Sequence, residues 1–86
     1  SLGISKVENP KADPANPKHI GAPLQGMLSK VFVKKDQQVN KNEQLFVIEA
    51  MKMETTVTAS DMLQVKSVNL KEGAMVNAED LVITWV

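Results

Sequence analysis

Eighty-six residues hold one domain, and a core of that size lies near the lower limit for independent folding. Ten basic and ten acidic residues cancel, which leaves no electrostatic footprint for nucleic acid; no basic cluster marks a membrane surface and no apolar run has spanning length. Apolar residues make up 43% of the chain and aromatics only 3%, while cysteine is absent. The core is therefore aliphatic, and disulfides, thiolate nucleophiles and cysteine-type zinc sites are excluded together. The lack of cysteine fits a reducing compartment, and the N-terminus shows no charged-then-apolar leader.

Residues 1–18 carry Pro10, Pro14 and Pro17, with Asn9, Asp13 and Asn16 among them. Prolines at this density remove backbone donors and push their preceding residues out of the helical region. The stretch predicts an extended tether, and residues 19–86 the folded domain. From His19 onward short β-type runs alternate with polar turns: Met27 to Val33, Leu45 to Ala50, Met53 to Ala59, Leu63 to Leu70 and Leu81 to Val86. No window carries a helical stripe. Turns recurring every eight to twelve residues or so predict an all-β sandwich or barrel.

A shift of 37 residues lays Ala22 on Ala59, Val31 on Val68, Lys34 on Lys71, Val39 on Val76 and Asn40 on Asn77. Asp36 then falls on Gly73, and both residue types accept a left-handed turn conformation. An internal repeat of this kind predicts two similar half-domains burying one shared core. The segment Ala50 to Met53 lies at the joint between copies, as a hairpin tip. The chain ends are expected together, away from that tip.

At the joint stands Glu49-Ala50-Met51-Lys52-Met53-Glu54, one lysine between two methionines. An exposed lysine is ordinarily only a solvated charge, protonated at neutral pH and a poor nucleophile. No residue nearby would activate it, and the sole histidine, His19, lies at the domain's N-terminal edge without a second ligand to suggest a metal site. Two methionines at a turn, however, leave apolar side chains where solvation favours polar ones. A docking surface for a modifying enzyme explains that better than packing does. No Ser/His/Asp set, Gly-rich phosphate loop or metal-ligand spacing occurs anywhere in the chain.

Glu49-Ala50-Met51-Lys52-Met53-Glu54-Thr55 resembles the biotinyl site of biotin-dependent carboxylases. Upstream, Lys11-Ala12-Asp13-Pro14-Ala15-Asn16-Pro17-Lys18-His19-Ile20-Gly21-Ala22-Pro23 is similar to the stretch entering the carrier domain of the pyruvate carboxylase family. The resemblance implies a flattened barrel of two four-stranded antiparallel sheets with quasi-twofold symmetry. It makes Lys52 the biotinylated lysine, with Glu49, Ala50, Met51 and Met53 as its recognition surroundings. The implied partners are a biotin protein ligase and the biotin carboxylase and carboxyltransferase domains of a parent enzyme, itself a homotetramer of the bacterial cytoplasm or the mitochondrial matrix. That parent would use ATP, magnesium and bicarbonate at one site and a divalent metal at the other, turning pyruvate into oxaloacetate; this piece alone would catalyse nothing. A carrier domain of another biotin enzyme, a lipoyl-type domain, and a plain interaction module with an unmodified lysine stay open as alternatives. The family often has glycine where this chain has Asp36, Asn42, Leu63 and Glu79, which leaves the turns at Leu63 and Glu79 in question.

Overall fold

The structure, a computed structural model, describes residues 9–86. Eight strands follow in order: β1 (His19–Gly21), β2 (Gly26–Val31), β3 (Gln38–Val39), β4 (Gln44–Ala50), β5 (Met53–Thr58), β6 (Leu63–Val68), β7 (Met75–Val76) and β8 (Leu81–Trp85). They form two four-stranded sheets, β1-β8-β6-β3 and β5-β4-β2-β7, with every pairing antiparallel. The all-β, two-sheet architecture expected above is what the chain adopts. The five long runs start within a residue of their predicted positions and end one or two residues early where the expected bounds differ. The short strands β1, β3 and β7, of three, two and two residues, carry too few side chains for periodicity to reveal them.

Why these segments pair follows from their side chains. In β6, buried Val65 alternates with exposed Gln64 and Lys66, the pattern of a strand with one wet face. In β4 the alternation breaks: Leu45, Phe46, Val47 and Ile48 are all buried. The register against β5 slips between Gln44 and Phe46, and a bulge there turns the consecutive Leu45 and Phe46 inward; Ile48 joins them in the core, while Val47 is buried outside it. Leu28, Leu45, Phe46, Ile48, Val65, Val82, Ile83 and Trp85 then close a single core between the sheets.

The repeat is built into this topology. Displacement by 37 residues carries β2 onto β6 and β3 onto β7, and it converts one sheet's strand order into the other's. Irregularities repeat as well. The β2–β4 pair slips between Leu28 and Lys30, and the β6–β8 pair slips between Val65 and Ser67. Asn42 N donates to Ala59 O at 2.7 Å and Glu79 N to Ala22 O at 2.8 Å, the same bond exchanged between halves. Asp36 and Gly73 both take positive φ, 71° and 89°, as their shared turn chemistry predicts. Glu79 also takes its partner's turn, φ 71° against 74° for Asn42, although a glutamate accepts it less readily. Leu63, opposite Gly26 in the repeat, pairs with Val39 and is partly buried against the core with ordinary φ.

Of the expected tether, residues 1–8 lie outside the described residues. The remainder folds back onto the domain. Leu81 N donates to Pro10 O at 2.7 Å and Ala12 N to Glu79 O at 2.7 Å, so residues 9–12 line the entry to β8. His19 serves here as an acceptor, its Nδ1 receiving the Asp13 N–H at 3.0 Å. Trp85 N donates to Lys18 O, which sets the start and end of the folded domain side by side. The chain before Lys18 does not stay there: Asn9 Nδ2 reaches Met75 O at 3.3 Å. Met75 borders a groove beside the tip.

Candidate functional site: the β4–β5 hairpin tip

Strands β4 and β5 pair up to Ala50 and Met53, leaving Met51 and Lys52 as a two-residue turn. Their φ values are 53° and 63°. Positive φ at both central positions is the type I′ geometry whose twist matches that of the strands it joins, and Asn-Gly is its usual sequence. Methionine and lysine occupy it here against their steric preference, at roughly 1 kcal/mol each. Directly below the turn, Glu49 faces Glu54 across the pair, and like charges opposite one another oppose pairing. Met51 is 96% exposed and Met53 71%. Each of these choices runs against folding stability, and local rules broken together mark a functional place.

Lys52 is exposed at the tip, and it makes neither a hydrogen bond nor an ion pair among the described residues. The one ion pair there joins Lys11 to Asp80. No group of three or more His, Asp or Glu side chains is placed to hold a metal ion among the described residues. The tip thus presents one primary amine, exposed on a two-residue turn, to whatever approaches from solvent.

Beside the tip lies an open groove of about 540 Å³. Leu24, Met27, Ala50, Met51 and Met75 give it an apolar lining, and Gln25 and Glu49 supply polar groups. Gly26 lets β4 come this close: a Cβ there would stand 2.5 Å from Glu49 O and 2.9 Å from Ile48 Cγ2. Of the residues singled out from the sequence, Glu49, Ala50 and Met51 share the groove, while Lys52 and Met53 lie at the tip outside its lining. Leu24, Met27 and Met75 were not foreseen. Met27 pairs with Met75 across β2 and β7, a contact distant in sequence that no local motif announces.

A second cluster holds the lead-in. Asp80 is 1% exposed and accepts from Asn77 N at 2.8 Å, from Asn9 Nδ2 at 2.9 Å and from the Lys11 ammonium. Burial pushes its carboxyl pKa up, but the Lys11 ammonium, the Asn77 N–H and the Asn9 amide together outweigh burial and hold it below the ordinary value. Its repeat partner, Glu43, accepts the Asn40 N–H at 3.0 Å in the same way. The capping carboxylate is thus a turn device, and only the second copy also anchors the lead-in chain.

Comparison with known proteins places the chain among relatives. The family described as "Biotin-requiring enzyme" matches residues 18–84. Pyruvate carboxylase of Bacillus subtilis is 41% identical over 83 residues, covering 96% of this chain and 7% of that protein. Pyruvate carboxylase of Staphylococcus aureus is 42% identical over 74 residues, covering 86% of this chain and 6% of that protein. A solved structure, the complete multifunctional pyruvate carboxylase from Rhizobium etli, superimposes with a TM-score of 0.77 at 33% identity, over 91% of this chain and 7% of that one. The chain therefore spans a small part of the length of the relatives it matches.

Proposed function

The chain belongs to the family of biotin-requiring enzymes, and from that premise we propose that it is the carboxyl-carrier domain of a pyruvate carboxylase, with biotin joined to Lys52. The observation that carries the reading is the unpaired amine of Lys52 on a strained two-residue turn between two exposed methionines. Such a residue suits amide attachment, because a modifying ligase can reach it without disturbing any bond of the fold. In that step the Lys52 nitrogen, deprotonated from its ammonium form, attacks the activated carboxyl carbon of the cofactor. A C–N bond forms, the bond from that carbon to the activating group breaks and the group leaves, and the nitrogen loses one further proton and keeps one as the amide N–H. Glu49, Ala50, Met51 and Met53 form the surface the ligase reads.

Once bound, biotin supplies a ureido nitrogen able to hold a carboxyl group. The chain contributes position: the β4–β5 hairpin, paired up to Ala50 and Met53, sets the root of the arm, and the lysine stem provides rotatable bonds that let it swing. Tethering keeps the cargo at high local concentration for the next site. ATP, magnesium and bicarbonate at one remote site, and a divalent metal at the other, belong to neighbouring domains of the parent. The catalysis is theirs, and the isolated chain has none.

Replacing the carrier domain of Bacillus subtilis pyruvate carboxylase with this chain tests the assignment. The chimera is expected to be biotinylated and to form oxaloacetate from pyruvate, and its Lys52→Arg version to do neither. A biotinylated chimera without carboxylation of pyruvate would move the chain to another biotin enzyme. A chimera that takes lipoate instead would move it to the lipoyl type.

A further inference from the structure

The fold does not account for the distribution of methionine. Of the five methionines in the chain, Met27, Met51 and Met75 line the groove and Met53 stands across the turn from it. Met51 and Met75 are among the most exposed large apolar side chains of the described residues, at 96% and 67%. Burial does not select them there. Methionine is the side chain that best shapes itself around an irregular guest, and sulfur adds a polarisable contact.

We propose that this groove is a resting site on the domain itself for the bicyclic head group of the biotin carried by Lys52, an inference that rests on the attachment reading above. Three observations argue for this occupant. The groove's size, about 540 Å³, falls within the range of roughly 300–1,000 Å³ typical of small-molecule sites. Its chemistry matches: an apolar lining for the ring faces, with the Glu49 carboxylate to accept a ureido N–H and the Gln25 amide to donate to the ureido carbonyl. Its position matches as well, because Met51 belongs to the groove and is the chain neighbour of Lys52.

Tethering decides whether so open a site can be filled. A group on a short flexible arm experiences an effective concentration on the order of millimolar, so a site with an intrinsic Kd of about 1 mM is occupied roughly half the time. A deep pocket would hold the arm and stop the shuttle. A shallow methionine groove shelters the head group between visits and yields it to any site that binds more tightly.

The test labels the methionine methyl groups with carbon-13 and compares spectra of the 86-residue chain before and after enzymatic biotinylation, with intact mass establishing the load. The methyls of Met27 and Met75 are expected to shift along with those of Met51 and Met53. Met62 serves as the remote reference, its sulfur engaged by Gln38 Nε2 at 3.2 Å at the edge strand of the other sheet. Met75→Glu, at an exposed position that leaves the core untouched, is expected to cancel the Met27 shift and to speed capture of the loaded chain by streptavidin severalfold. A fully loaded chain in which only Met51 and Met53 move, with streptavidin capture indifferent to Met75→Glu, overturns the resting site and leaves the attachment intact. A chain that takes no biotin overturns both.

Discussion

Met51 and Lys52 show how a site can be built from residues a stable turn would avoid. Asparagine tolerates φ near +55° far better than methionine, so Met51→Asn is expected to stabilise the domain by about 0.5–1 kcal/mol. For a domain of this size that is a rise of several degrees in Tm. The same change removes an apolar contact from the surface a ligase would read, so the initial rate of biotinylation should fall while Tm rises. A fall in both would mean that Met51 packs structurally. Lys52→Arg keeps the charge and the turn but offers no amine of ordinary reactivity. Its circular dichroism and Tm should match the parent chain, and its mass should stay unmodified after exposure to ligase. The exposed place of Lys52 at a hairpin tip was legible from sequence because it is local: two strand-like runs flank a short segment. The strain was not, because the same letters read equally well as any polar turn until the strand register shows that only two residues span it.

At the level of elements, two joints hold the tip and the lead-in. Gly26 and Glu49 bring β2 and β4 into contact too close for any Cβ. Gly26→Ala should cost about 1–3 kcal/mol, visible as a lower urea midpoint, and should push the end of β4 away from the groove. Asp80 ties residues 9–12 to the turn before β8. Because the folded carboxyl has a lowered pKa, its contribution is complete above the unfolded value, near 3.9, and is lost as pH falls through the lower folded value. Stability against urea should therefore drop on acidification below about pH 4, and Asp80→Asn should flatten that limb. At neutral pH, Asp80→Ala should cost about 1–3 kcal/mol by leaving the Asn77 N–H and its companions unanswered. The Pro-rich stretch disclosed that residues 9–18 form neither helix nor central strand. It could not disclose that they dock, since the partner, Asp80, lies about seventy residues further on, where sequence alone offers nothing to pair it.

For the whole molecule the decisive fact is that neither half-domain owns a sheet. β1 and β3 of the first copy flank β8 and β6 of the second, while β5 and β7 of the second flank β4 and β2 of the first. Neither residues 9–50 nor residues 51–86 alone should fold: each is expected to give a disordered amide spectrum and no cooperative unfolding, whereas the whole chain unfolds in one step. A half that melted cooperatively would show that the copies are separable. The repeat made this architecture legible, because matched valines and turn residues 37 positions apart survive divergence where strand pairing itself leaves no trace. The proposal that Lys52 is the attachment point is tested most directly by the intact mass of the chain after co-expression with a biotin ligase. One biotin added with loss of one water, abolished by Lys52→Arg, is the predicted result; an unchanged mass, or an addition that survives Lys52→Arg, would contradict it.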